Sequence, residues 1–96
     1  MTSRQRAYLR GLANNLDAII QIGKQGVTPE ISAGIDEALE ARELVKVALL
    51  QNCDENVREA AEFLAQNAKA DCVQVIGRKF TLYRRSRTKP AIELPR

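Results

Sequence analysis

Apolar residues recur along the chain at two spacings, one typical of helices and the other typical of strands. A repeat of three or four positions predicts three helices. They cover residues 4–14, a segment that follows Thr28, and a segment that runs from Asp54 to Ala68. Short runs of apolar and β-branched residues predict four strands. They cover residues 18–22, 44–50, 72–76 and 79–84.

Polar residues and glycines mark the ends of these elements. Ser3 and Thr28 stand where a helix N-cap is expected. Pro29 follows Thr28 at the first helical position, where its missing N–H is no loss. Gly77-Arg78 predicts a two-residue hairpin turn between the last two strands.

The predicted order α-β-α-β-α-β-β defines a fold class. The two strand-helix-strand units require crossover connections, and the last two strands form an antiparallel hairpin. We therefore predict an α/β (α+β) fold of two layers, in which helices pack on one mixed four-stranded sheet. Residues 1–96 are expected to form one domain. Residues 85–96 are expected to be a basic, irregular tail that Ile92 and Leu94 anchor on the fold.

Length and composition narrow the class of protein. With 96 residues, 45% hydrophobic and 28% charged, the chain has the composition of an ordinary globular domain. It has no apolar run of the ~18 residues that a membrane span needs and no signal-peptide pattern, so we expect a cytoplasmic protein without membrane contact. It has no histidine, and its two cysteines, Cys53 and Cys72, match no zinc spacing. We therefore expect no metal, no cofactor and no enzymatic activity.

Charge is distributed unevenly along the chain. Residues 1–29 carry four basic side chains and one acidic, residues 30–71 carry four and ten, and residues 72–96 carry seven and one, for a net charge of +3. If the two basic ends meet in the fold, they form a surface that attracts polyanions although the total charge is small. The alternative is that these charges only keep the surface solvated.

The connection between the first strand and the second helix has the residues of an anion-binding loop. It comprises Gly23, Lys24, Gln25 and Gly26, followed by the helix cap Thr28. Glycines let the backbone approach a phosphate, the N-terminus of the next helix favours anions, and Lys24 adds a mobile positive charge. Loops of the G-x-x-G type hold nucleic-acid backbone in KH domains. The same residues also suit a plain tight turn, and their order is not that of a Walker A motif.

Further basic residues extend this candidate site. Arg6 and Arg10 share one face of the first helix because they are four positions apart. At the terminal hairpin we expect phosphate contacts from Arg78, Lys79, Arg84 and Arg85. Tyr83 or Phe80 either stacks on a base or, by strand alternation, lies partly in the core.

Three linked stretches together resemble the bacterial stand-alone form of the CRM domain, the YhbY-type RNA-binding proteins. They are residues 22–28, residues 38–47, and residues 73–77 running into Leu82-Tyr83-Arg84. The pattern from Arg6 to Ala13 and the closing residues 92–95 also fit, so the resemblance covers essentially the whole chain.

The resemblance implies a KH-like fold akin to the C-terminal domain of bacterial translation initiation factor 3. It also implies RNA binding in association with precursors of the large (50S) ribosomal subunit. The residues that match the family's RNA contacts are Gly23 to Gly26, the strand lysine Lys46, and Tyr83-Arg84. The chain departs from the family pattern at Ala48, where a second lysine is common.

Two functions are open at this point. In the first, the chain is a monomeric RNA-binding protein that acts in assembly of the large ribosomal subunit through its glycine loop and a basic surface. In the second, the acidic second and third helices dock a basic ribosomal protein or assembly factor. The first requires that the opening helix, the glycine loop and the terminal hairpin be neighbours in space.

Overall fold

The computed structural model describes all 96 residues and contains the seven elements in the predicted order. The helices are α1 (Ser3–Ala13), α2 (Pro29–Arg42) and α3 (Val57–Ala68). The strands are β1 (Ala18–Ile22), β2 (Leu44–Leu49), β3 (Asp71–Ile76) and β4 (Lys79–Tyr83). None of the three helices is long and apolar enough to cross a membrane.

The helix caps agree with the sequence at α2 and differ at the other two helices. Thr28 caps α2, and its hydroxyl accepts a hydrogen bond from Ile31 N at 3.2 Å. At α1 the cap is Thr2 and not Ser3, because the Thr2 hydroxyl and the Gln5 side chain each accept from the other's backbone N–H. At α3 the cap is Asn56 and not Asp54.

The four strands form one mixed sheet in the order β1-β2-β4-β3. β1 is parallel to β2, and β4 is antiparallel to both β2 and β3. This confirms the predicted mixed sheet. Because β2 and β4 lie in the middle, their inward-facing residues, such as the paired Val47 and Phe80, are almost fully buried.

α2 and α3 cover one face of the sheet and close the main core. Its largest fully buried side chains are Ile22, Ile35, Leu39, Val45, Val47, Leu64, Phe80 and Leu82. Alanines of α3, including Ala61 and Ala65, let this helix pack closely on the strands.

α1 lies on the opposite face of the sheet, so helices pack on both faces and not in a single second layer. Leu9 and Ala13 of α1 pack with Leu44, Val73 and Tyr83. The half-buried Ile92 and Leu94 complete this smaller cluster, which confirms that they anchor the tail. A helix of 11 residues is only about 16 Å long. Part of this second face therefore remains uncovered.

Two carboxylates near the end of α2 hold residues 85–96, which we call the strap. The buried Glu43 accepts hydrogen bonds from the backbone N–H of Ser86 at 2.7 Å and of Ala91 and Ile92 at 2.8 Å. Glu40 accepts from the hydroxyls of Ser86 and Thr88, both at 2.8 Å. The strap has no regular secondary structure, as predicted, but it is tied to the fold along most of its length.

Candidate nucleic-acid interface

The glycine loop lies at one end of the sheet, which we call the loop end. β1 and β2 both finish there, and the β3–β4 turn lies beside them: Leu50 N donates to Ile22 O at 2.9 Å and Leu49 N to Arg78 O at 2.7 Å. Ligands of sheets with helical crossovers bind preferentially at the carboxyl ends of parallel strands. The loop therefore occupies the position expected for a binding site.

The loop itself is a tight turn with exposed polar groups. Gly26 N donates to Gly23 O at 3.0 Å, and Gly26 has a φ of +70°, in the left-handed region. Lys24 and Gln25 are exposed at its tip, and their backbone N–H groups donate to no protein acceptor. The loop is therefore a tight turn that also offers two free backbone N–H donors.

One donor of the loop is already occupied. The carboxylate of Glu55, from the connection between β2 and α3, accepts a hydrogen bond from Val27 N. An anion at this point of the loop would therefore meet a negative charge. The sites left for a phosphate are the Lys24 ammonium and the free N–H groups of Lys24 and Gln25.

Arg78 lies at the loop end, but its side chain is partly committed to the protein. Its guanidinium donates to Leu50 O at 2.8 Å and to Cys53 O at 2.7 Å. These bonds brace the connection between β2 and α3. Arg78 remains exposed, so it contributes charge to this end of the sheet more than free hydrogen-bond donors.

The uncovered part of the second face carries two lysines. Lys46 of β2 and Lys79 of β4 point to this face, which we call the open face. A depression of about 140 Å³ lies between them, beside the end of α1. Neither lysine forms a salt bridge with a carboxylate.

The two arginines of α1 differ in availability. Arg6 donates to the carbonyls of Cys72 and Val73 at a bulge in the edge strand β3, so its side chain is only half exposed. Arg10 is exposed and makes no hydrogen bond through its side chain. Of the pair, only Arg10 is free to contact an anion.

The side chains of Tyr83 and Arg84, both predicted to contact RNA, are buried in the structure. Tyr83 is 6% exposed in the cluster under α1, and burial together with the nearby Glu43 raises the pKa of its phenol. The core placement that strand alternation allowed for Tyr83 is confirmed. Arg84 is 9% exposed and donates to Asp36 Oδ1 at 2.6 Å and to Ala68 O at 2.9 Å.

The alternation Phe80, Leu82, Arg84 was the available signal for this burial. Residues two apart on a strand share a face, which places Arg84 on the face that α2 and α3 cover. A lone arginine at that position has to pair with acceptors on the two helices, and the carboxylate of Asp36 in α2 and the carbonyl of Ala68 at the end of α3 meet this need.

The requirement for one shared cationic surface is therefore met only in part. Lys24, Lys79 and the turn at Arg78 lie at the loop end, with Lys46 on the adjoining open face. Arg85 is exposed, but it follows β4 at the opposite end of the sheet. Five residues of strand separate the two ends by about 16 Å.

Comparison with known proteins assigns the chain to a family. Residues 1–84 match the model of the CRS1 / YhbY (CRM) domain, so the chain belongs to this family, and the resemblance is confirmed. It is 44% identical over 95 residues to "Probable RNA-binding protein YqeI" of Bacillus subtilis, with 99% of each chain covered. It is 33% identical over 96 residues to "RNA-binding protein" of Haemophilus influenzae, covering 100% of this chain and 96% of that one.

A solved structure shares the fold. The solution structure of the hypothetical protein SAV1595 from Staphylococcus aureus superposes with a TM-score of 0.82 at 45% identity, covering 99% of each chain. The predicted fold class, a mixed sheet with three helices, is confirmed.

Proposed function

We propose that this protein binds RNA, with residues 1–96 acting as one domain and the loop end of the sheet as the first point of contact. The observation that carries the proposal is the exposed Lys24 on the Gly23–Gly26 turn, at the carboxyl end of a parallel strand. Relatives that align with the whole chain are named as RNA-binding proteins. A G-x-x-G turn with free N–H groups and a lysine is suited to a phosphodiester backbone.

The free cations support contact with a chain of phosphates. Lys24 at the loop end, Lys46 and Lys79 on the open face and Arg10 on α1 have no carboxylate partner. Such a group of charges releases counterions when it neutralises phosphates, so the affinity depends on salt. The role we propose is binding and not catalysis.

The RNA that we propose as the target is ribosomal RNA in precursors of the large (50S) subunit. The support for this step is the family resemblance alone. We further propose that the protein acts as a cytoplasmic monomer. Crosslinking in cells, followed by sequencing of the attached RNA, tests the target, and we expect enrichment of large-subunit ribosomal RNA. An even distribution over cellular RNAs would contradict this target and favour a general RNA chaperone.

Charge reversal at the loop tests the binding site. Lys24→Glu should lower the affinity for a structured fragment of large-subunit ribosomal RNA about tenfold, which is ~1.4 kcal/mol. The matched control is Lys89→Glu, which makes the same charge change on the strap, at the opposite end of the sheet. Lys24→Glu should unfold at the wild-type temperature, because the Lys24 side chain is exposed. Lys89 lies beside Asp36, Glu37 and Glu40, so the affinity of both variants is measured well below the unfolding temperature. If the two variants lose affinity equally, the loop is only a turn.

A groove beside α3 supports a second candidate function, the docking of a basic protein. Phe63 is 56% exposed and lines a cavity of about 650 Å³ together with Asp54, Glu55 and Glu59. An aromatic face among carboxylates suits an arginine side chain. If this groove docks a protein, Phe63→Ala should abolish capture of a basic ribosomal protein while RNA binding survives. Glu40 is not available for such docking, since it holds the strap.

A further inference from the structure

The depression on the open face has the features of a built site and not of an accidental hollow. Its lining residues are Asn14, Lys46, Gln74, Ile76, Lys79 and Thr81. None of them is acidic. Five of the six belong to three neighbouring strands, so their positions are set by the sheet, and Asn14 caps the end of α1.

The strand register arranges these side chains in two rows. In the first row, Lys46 of β2 pairs with Thr81 of β4, and Thr81 pairs with Gln74 of β3. In the second row, Lys79 of β4 pairs with Ile76 of β3. Because Lys46 pairs with Thr81, it is the diagonal neighbour of Lys79, at a separation of about 7–8 Å between backbones. Two ammonium groups at this spacing can converge on one anion.

The charge balance of the depression favours an anion. Lys46 and Lys79 carry two positive charges, and neither forms a salt bridge. The C-terminus of α1 at Asn14 brings a partial negative charge of roughly half a unit, which the two full charges outweigh.

Thr81 provides independent support, because its hydroxyl has no hydrogen-bond partner. The residue is 1% exposed, and Oγ1 is buried without a donor or acceptor in the protein. Buried hydroxyl groups are usually paired, and an exception calls for a ligand or another cause. Thr81 stands between Lys46 and Gln74, where an oxygen of a bound phosphate would supply the missing acceptor.

We propose that the open face holds one nucleotide of the bound RNA, with its phosphate between Lys46 and Lys79 above Thr81. The 64% exposed Ile76 lies next to Lys79 and supplies an apolar surface for the sugar or base of the same nucleotide. The Gln74 amide donates to the phosphate or to a base edge. This inference rests on the proposed RNA binding and adds to it a subsite separate from the glycine loop.

Single substitutions in the depression test the subsite by RNA affinity at about 0.15 M salt. Lys46→Gln should weaken binding about tenfold and reduce the salt slope by about one. Thr81→Val keeps the shape of the side chain and removes the unpaired hydroxyl. It should weaken binding about threefold without lowering the unfolding temperature, since the free protein loses no hydrogen bond. The control Lys89→Gln, on the strap, should bind as the wild type does.

Titrations followed by the backbone amide signals of Lys46, Gln74 and Thr81 separate an RNA phosphate from a free anion. A short RNA should shift these signals in the wild type, and Ile76→Ala should weaken the RNA effect but not any effect of inorganic phosphate. If Ile76→Ala changes neither the RNA effect nor the phosphate effect, the depression is a simple anion site and does not hold a nucleotide.

The outcomes also separate this inference from the proposed function. If the wild type binds RNA while Lys46→Gln and Thr81→Val bind equally well, the subsite is wrong and the function stands. If the wild type binds no RNA and neither RNA nor phosphate shifts the three amides, both are wrong.

Discussion

The two glycines of the loop have different structural roles. Gly26 adopts a φ of +70°, and a Cβ there would collide with the Glu55 carboxylate. Gly23 has no such φ, and a Cβ there would meet Leu50 and Asn52 at the ordinary contact distances of 3.7 and 3.8 Å. The backbone therefore requires glycine at position 26 and tolerates a side chain at position 23.

Alanine substitutions should separate the two positions. Gly26→Ala should lower the free energy of unfolding by about 1–2 kcal/mol, because the left-handed conformation is strained for a residue with a Cβ. It should also displace Glu55 from Val27 N. Gly23→Ala should change stability by less than about 0.5 kcal/mol. Urea unfolding of both variants measures the difference, and equal losses would contradict it.

Arg84 is a structural residue that joins the end of α3 to the middle of α2. Its guanidinium donates to the carbonyl of Ala68, the last residue of α3, and to both the side chain and the backbone carbonyl of Asp36 in α2. A cation near the carboxyl end of a helix is favourable, and here it also links α2, α3 and β4. Its exposed neighbour Arg85 has no such contacts.

We expect Arg84→Gln to lower the free energy of unfolding by about 2 kcal/mol, because charge-assisted hydrogen bonds to buried or half-buried acceptors are lost. Arg85→Gln, one position along the chain, should cost less than about 0.5 kcal/mol. RNA affinity measured well below the unfolding temperature should be unchanged by Arg84→Gln. A loss of affinity in a fully folded variant would restore Arg84 as a contact residue.

At the scale of elements, the end of α2 controls the strap. Hydrogen bonds from the hydroxyls of Ser86 and Thr88, and from Arg87 N, lower the pKa of Glu40 from 4.5 to about 2. Burial raises the pKa of Glu43, but the N–H donors of Ile92, Ser86 and Ala91 outweigh it, so this pKa is also lowered. Both carboxylates therefore favour the folded strap only while they are ionised.

The strap should detach in acid. A carboxylate with a lowered pKa contributes its full stabilisation above its ordinary pKa of 4.5 and loses it as the pH falls toward 2. We expect the methyl NMR signals of Ile92 and Leu94 to move toward unfolded positions between about pH 4.5 and pH 2. Glu37→Gln is the control, because Glu37 is exposed on the same helix and bonds to no strap residue. Signals that stay unchanged down to pH 2 would contradict this role.

At the scale of the whole molecule, charge separates across the sheet. Lys24, Lys46, Lys79 and Arg10, none of which pairs with a carboxylate, lie at the loop end or on the side of the second face. Helices α2 and α3, on the other face, carry five exposed carboxylates against two exposed arginines, Arg42 and Arg58. The carboxylates are those of Glu30, Asp36, Glu37, Glu59 and Glu62. A net charge of only +3 therefore conceals a strongly polarised surface.

This polarity predicts the salt dependence of RNA binding. Four free cations on phosphates of an unpaired strand give a slope of about −3 for the logarithm of the affinity against the logarithm of salt concentration. Glu37→Lys adds positive charge on the opposite face and should leave the slope unchanged. Salt largely screens the interaction between exposed charges that are more than ~8 Å apart. A steeper slope in Glu37→Lys would show that RNA also reaches the α2 face.

Local sequence signals were sufficient to predict the helices, the strands and part of the candidate site. The stripe from Val57 to Ala68 predicted α3, and Thr28-Pro29 predicted the start of α2. Gly77 predicted a turn and has a φ of +58°. These features depend on neighbours within about four positions along the chain, and such neighbours can be identified from sequence alone.

Contacts between distant segments were not predictable in this way. Three of the four residues in the run Arg84-Arg85-Ser86-Arg87 are basic, yet of these three Arg84 alone is buried, where it pairs with Asp36, 48 positions away. The same holds for Glu43, whose carboxylate accepts from Ile92, 49 positions away. Sequence gives no distance between such groups, so it assigned Arg84 to the surface.

The amino-acid sequence by itself determined the seven elements, their order, the mixed sheet and the exposed lysine of the glycine loop, because periodicity, caps and turns are local properties. Only the tertiary structure decided which cations are free. The guanidinium groups of Arg84, Arg6 and Arg78 donate hydrogen bonds to carbonyl groups of the protein. Glu55 accepts a hydrogen bond from the glycine loop, and Lys46 and Lys79 lie beside the unpaired hydroxyl of Thr81. Burial and pairing arise from the way the whole chain closes on itself, and no segment specifies them alone.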